Sequence, residues 1–223
     1  MKINSWLLFF LLLSYCTAGA QQDTLRFRDL VRSVLVDRSK DQKQYPTPPL
    51  VTNEVVLFMQ EEFKKNDSAQ YYFLQLSTDS MRTHYPRYGE ALQYFFRKDL
   101  FATMLSLSVH WNPDIRVYSQ TELQKLIHRG MLINDQKLKT GKRRAEFQLG
   151  IRFLIFVLEQ TPWSIPGSEN STIHSMYIYS ICKSLDYLTG ERKMIQRQHY
   201  YSISDQQIQQ SIIQWKQHIK DAH

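Results

Sequence analysis

The sequence predicts an all-α protein, and three observations carry that prediction. Apolar residues recur three and four apart in one stretch after another, strand-type alternation is weak throughout, and proline, glycine and polar clusters interrupt the chain at helix-length intervals. The pattern is clearest from His110 to Ile127, where a turn signal leads into a run with Ile115, Ser119, Leu123 and Leu126 on one packed stripe.

Residues 1–20 hold one basic residue, Lys2, then an apolar core from Trp6 to Leu13, then small residues ending Ala18-Gly19-Ala20. This is the pattern of a secretory signal peptide, and cleavage is expected after Ala20. The core is far shorter than the roughly 20 apolar residues of a membrane span. The mature protein is therefore expected in a periplasmic or extracellular space. Cys16 offers a second route, a lipid anchor on an N-terminal cysteine, against which the bulk of Tyr15 argues. The formal charge is +7, and Lys2 is the single charged residue of the leader, so the mature chain stays mildly basic. Its length permits one or two domains with a full core. Cys182 is the one cysteine beyond the leader, which excludes an intramolecular disulfide and leaves stability to packing. No second apolar stretch has membrane length, so no transmembrane helix is expected in the mature chain.

Residues 21–38 predict an amphipathic N-terminal helix, capped by Asp23 or Thr24, with Leu25, Leu30, Val31, Val34 and Leu35 at helical spacing. Residues 39–52 follow as a linker, because Pro46, Pro48 and Pro49 cannot sit inside a helix. Helical character returns at Asn53 with Val55, Val56, Phe58, Met59 and Phe63, breaks at Asn66-Asp67-Ser68, and resumes from Tyr71 to Met81, a helical hairpin. A further run from Tyr88 to Val109 is expected to break near Lys98-Asp99, with Asp99 placed to cap its second half. Beyond the His110–Ile127 stretch, residues 145–159 are apolar on nearly every side, which predicts burial on nearly every side. A helix over 173–188 should close at Thr189-Gly190. The last helix opens with Ser204-Asp205-Gln206-Gln207, a capping-box pattern, and carries Ile208, Ile212, Trp215 and Ile219 on one face.

Asp114-Ile115-Arg116, with Ser119 three after the arginine and Leu123 and Leu126 beyond it, resembles the second helix of a HEAT-type repeat. Stepping by 31 residues aligns Leu92, Leu123, Leu154 and Leu185, and likewise Phe95, Leu126, Val157 and Leu188. Residues 184–190, followed by a polar loop and a helix centred on Trp215, are similar to the closing unit of HEAT-like proteins. The resemblance covers about residues 88–219 and implies helical hairpins stacked as a short α-solenoid, with residues 53–223 as the repeat domain. It also implies structural roles for Asp114, Arg116, Leu123, Leu154, Leu185 and Trp215, with the Arg116 fork bridging a carboxylate of a neighbouring unit. Two features depart from the family pattern: the period is shorter than that of most HEAT units, and residues 161–172 are rich in proline and glycine.

No motif compels a chemistry. The histidines, at 84, 110, 128, 174, 199, 218 and 223, lack the H-x-x-x-H spacing of zinc sites and read as surface or packing residues, so no metal or cofactor is expected. Cys182 reads as a buried, inert thiol, since His174 lies about two helical turns away. Nucleophile elbows, phosphate loops and H-E-x-x-H motifs are missing from the sequence. The basic run Lys137, Lys139, Lys142, Arg143 and Arg144 can meet an anionic lipid, polysaccharide or protein face, or stand solvated. Tyr72, Tyr94 and Tyr201 lie in aromatic clusters whose neighbours must in part face outward, and can line a contact surface. Asn66-Asp67-Ser68 and Asn170-Ser171-Thr172 fit the N-glycosylation pattern. The expected function is an exported, non-enzymatic binding or scaffold protein whose partner is another protein. The alternatives are an anionic-surface binder acting through 137–144 and an enzyme whose site is assembled from distant residues. Nucleic acid is not an expected partner of an exported chain.

Overall fold

The computed structural model describes residues 22–37, 51–83, 88–134, 141–163, 171–190 and 203–221. The leader with Cys16, most of the 39–52 linker, Lys137, Lys139, Tyr201 and Asn170 lie outside them. The described residues are all-helical, with no strand. A first helix, α1, runs over 22–35. It is followed by α2 (Asn53–Lys64), α3 (Ala69–Leu74), α4 (Thr78–Thr83), α5 (Tyr88–Arg97) and α6 (Phe101–Leu107). The longer helices α7 (Pro113–Asn134), α8 (Lys142–Gln160), α9 (Ser171–Thr189) and α10 (Asp205–Asp221) complete the chain.

The short helix α6 sits at the centre. All seven of its residues are buried, and α2, α5, α7 and α8 pack around it. The most extensive contact in the molecule is α7 on α9. Their seam is partly polar, with the Gln120 amide donating to the Ser184 hydroxyl at 2.7 Å and the Gln124 amide to the Ser180 carbonyl at 3.1 Å. Helix α8 lies across α6 and α9, and α10 closes over α8 and α9. Small residues permit the closest approaches. A Cβ at Gly150 on α8 would stand 3.1 Å from the Phe101 ring and 3.2 Å from Leu188, so glycine lets α8 settle between α6 and α9.

Both columns spaced by 31 residues lie in the core. Leu92, Leu123, Leu154 and Leu185 are fully buried, as are Phe95, Leu126 and Val157, with Leu188 buried at their end. Trp215 is fully buried and its indole N–H donates to Asp186 Oδ1 at 3.3 Å, which ties α10 to α9. The capping box forms: the Ser204 N–H donates to Gln207 Oε1 at 2.8 Å, and the Gln207 N–H returns to the Ser204 hydroxyl at 3.3 Å. Helix α9 ends at Gly190, whose φ of 76° gives the left-handed closure that glycine adopts without strain.

The N-terminal helix is part of the same core. Val31, Val34 and Leu35 are buried, the Phe27 and Phe63 rings meet edge to face at 5.1 Å, and the Leu35 carbonyl accepts from the Trp111 N–H. Leu25, expected on the apolar stripe, is instead half exposed. Two further details differ from expectation. The second arm of the predicted hairpin divides into α3 and α4. Asp99 does not cap α6: it closes α5 in the left-handed region, with φ 57°, and its carboxylate points to Arg129 and Arg143.

Candidate functional site

The cap of α6 comes instead from Glu62, forty residues earlier. On α2 it follows Val55 and Met59 along one helical stripe, so the fold drives its carboxylate into the core with them. One oxygen accepts from the Ala102 N–H at 2.8 Å. The other accepts from the Thr103 N–H at 2.9 Å and the Thr103 hydroxyl at 2.6 Å. Burial pushes Glu62 up to about 7 against the pull of these hydrogen bonds. A second buried carboxylate, Glu146, enters from the first turns of α8 and pairs with Lys142 and Arg143, each at 3.0 Å. Arg143 also pairs with Asp99, to which Arg129 adds a longer contact of 3.4 Å. Glu62, Glu146, Asp99, Lys65, Lys98 and Lys142 border a cleft of about 470 Å³ over this junction.

Two buried carboxylates in one cleft invite an acid–base reading. The geometry argues for a structural junction. Both oxygens of Glu62 are occupied by the amides and hydroxyl that open α6, and both oxygens of Glu146 by cations. Each carboxylate oxygen already has at least one partner from the protein itself.

A second polar constellation lies where α7 meets α9. Arg116, on the first turn of α7, is only 5% exposed, and its guanidinium stands over the Tyr177 ring at 5.3 Å from the centroid. The bridge to a neighbouring carboxylate implied by the HEAT resemblance is not made by any described residue. Burial lowers the guanidinium below its usual range, and burial likewise raises the Tyr177 phenol. Ser108, which donates its proton to the Leu105 carbonyl at 2.7 Å, stands in hydrogen-bonding reach of the Tyr177 hydroxyl. His174, one turn before Tyr177, is held to the Pro162 carbonyl through Nε2, and burial lowers its pKa. His110 is fully buried, with Nε2 on the Leu76 carbonyl at 2.8 Å and Nδ1 accepting from the Asn112 N–H at 3.1 Å. Desolvation takes it down to about 3, so it is a neutral packing residue. Asp114 is exposed beside these groups, and its N–H is capped by Asn112 Oδ1 at 2.8 Å.

The remaining expectations fall as follows. Lys142, Arg143 and Arg144 occupy the first turn of α8 rather than a free loop, and the first two are engaged by Glu146 and Asp99. Tyr72 on α3 and Tyr94 on α5 do come together, stacked with centroids 4.3 Å apart. Tyr71, more than half exposed, stands edge-on to Tyr72 at 5.4 Å, and Tyr118, also half exposed, stands edge-on to Tyr88 at 6.2 Å. Cys182 is fully buried, and desolvation raises its thiol well above the usual range, as expected of an inert packing residue. No group of three or more potential metal ligands occurs among the described residues, and none of their helices is long and apolar enough to cross a membrane.

Sequence reading missed Glu62, Glu146 and the His174–Tyr177 pair. The available signal was a carboxylate on an apolar stripe, at 55, 59 and 62 in α2 and beside Phe147 and Gly150 in α8. Comparisons with family models, with curated proteins and with solved structures give no match to this chain.

Proposed function

We propose that the protein is an exported, non-enzymatic binding protein that engages another protein through tyrosines displayed by α3, α5 and α7, on a short HEAT-like stack of helical hairpins. The observation that carries this reading is the tyrosine cluster: Tyr71 stands exposed against a stacked Tyr72–Tyr94 pair. Aromatic side chains held in place before binding lose little entropy on contact, and tyrosine offers both apolar area and a polar tip. The buried leucine columns support the stacked architecture, since recurring buried positions are how repeats build a continuous core.

An anionic-surface binder is the weaker reading, because Lys142 and Arg143 are drawn into ion pairs with the protein's own carboxylates. An enzyme is weaker still, because the two carboxylates of the α6–α8 cleft are engaged by the protein's own amides, hydroxyl and cations.

The test is affinity capture from the host's envelope fraction with residues 21–223, at low and moderate salt. One variant changes Tyr71 and Tyr118 to Ser, and another changes the five basic residues of 137–144 to Gln. The expected result is one defined protein captured by the wild type and the basic-run variant at both salt levels, and lost with the tyrosine variant. Capture lost with salt or with the basic-run variant would move the interface to an anionic surface.

A further inference from the structure

The cleft over the junction of α2, α6 and α8 has a floor and a rim of different character. Leu100, Glu62 and Glu146 are buried at its floor, while Leu57, Lys65, Lys98 and Lys142 stand exposed around it. Leu57, half exposed, shares one wall with the Phe58 ring and Leu100. At about 470 Å³ the cleft has the size of a small-molecule site, in which an apolar wall is joined by a few polar groups that fix orientation.

The charges select the kind of molecule. Each carboxylate of the lining is already engaged by the protein: Glu62 caps α6, Asp99 is held by Arg129 and Arg143, and Glu146 by Lys142 and Arg143. Glu61, at the rim, pairs with Lys64 at 2.8 Å. Lys65 and Lys98 are the lining cations that none of these pairs uses. They come from separate elements, Lys65 directly after α2 and Lys98 directly after α5, and the packing of both helices around α6 brings two ammonium groups to one opening. Among the described residues, six cations (Lys64, Lys65, Lys98, Arg129, Lys142 and Arg143) thus face four carboxylates at this junction. Glu62, pushed up to about 7, holds a proton part of the time near neutral pH and lowers the acidic side further. An apolar wall beside two ammonium groups fits an aliphatic chain that ends in an anionic head. The chain removes Leu57 and Phe58 from water, and the head meets ammonium groups whose own aliphatic stems can lie along the same wall. A cationic amphiphile would be repelled by the lysines, and a bare anion would leave the wall wet.

We propose that the cleft between α2, α6 and α8 binds a free single-chain amphiphile of the fatty-acid class, with Leu57 and Phe58 against its chain and Lys65 and Lys98 at its carboxylate. The inference is independent of the tyrosine face, and each stands if the other fails.

The test titrates sodium decanoate, below its micelle concentration, into residues 21–223 in a calorimeter. The wild type is compared with Lys65→Gln plus Lys98→Gln, and with Leu57→Ser. A control, Lys125→Gln plus Lys216→Gln, removes the same charge from lysines outside the cleft lining. All five side chains are exposed, so the changes leave the core intact. The wild type should bind decanoate saturably at one site. The cleft lysine pair should weaken binding about tenfold and Leu57→Ser about fivefold, with the control unchanged. Butyrate and decyltrimethylammonium should bind far more weakly than decanoate. The proposal is overturned if decanoate shows no saturable binding, if the control weakens binding as much as the cleft pair, or if Leu57→Ser leaves it unchanged. It also falls if butyrate or decyltrimethylammonium binds as tightly as decanoate. Sedimentation with phosphatidylglycerol vesicles separates a free ligand from a membrane surface: the chain should stay in the supernatant, and pelleting with the vesicles would overturn the assignment to a free ligand.

Discussion

Glu62 shows how one side chain can hold a tertiary junction. Its carboxylate replaces the cap that Leu100 cannot supply to α6, so a helix with every residue buried begins with its amides satisfied. Glu62→Ala leaves two amides and a hydroxyl without partners in the core, and urea denaturation should report a loss of about 2–4 kcal/mol. The pH dependence follows from the raised carboxyl. The folded protein holds a proton up to about 7, whereas the unfolded carboxyl releases it near 4.5, so this group's contribution is full below 4.5 and is lost as pH rises through 7. Stability measured at pH 5 and pH 8 should fall across that window, and Glu62→Gln should flatten the fall. At this scale the sequence is least informative. Glu62 read as an ordinary charged residue because its partners lie far along the chain, and only the stripe of Val55, Met59 and Glu62 hinted that a carboxylate had been folded inward.

Helices were the most legible level. Periodicity located the long ones, the Ser204–Gln207 capping box formed as read, and the apolar run in α8 is buried along most of its length. Less legible were the junctions. The division between α3 and α4 and the left-handed turn at Asp99 depend on what neighbouring helices require of the backbone, and a single stretch of sequence carries no record of its neighbours. Gly150 is a case where element packing explains a residue that helix propensity disfavours. Gly150→Val pushes a branched side chain against Phe101 and Leu188, and thermal unfolding should show a cost of about 1–3 kcal/mol. Gly89→Ala meets open space on α5 and should be neutral or stabilising by about 0.5 kcal/mol, which separates crowding from propensity.

At the scale of the molecule, α1 joins the core that α2 and α6 organise, although a proline-containing linker separates it in sequence. Removing residues 21–37 exposes the surface that Val31, Val34 and Leu35 cover. Chemical denaturation of the truncated chain should show a loss of about 3–5 kcal/mol, after the entropy recovered from not ordering the helix is set against the lost burial. The intact chain should unfold in one transition, and a separate early transition of α1 would contradict a shared core. The buried thiol of Cys182 gives this cooperativity a chemical reporter. Seated on α9 at zero exposure, it is shielded from oxidant and alkylating reagent while the helices hold together. Its labelling rate under native conditions should therefore track the opening of the core and rise in step with Glu62→Ala and Gly150→Val. In an oxidising compartment the same shielding makes a covalent dimer through Cys182 a record of past unfolding: two chains can join there only after both have come apart.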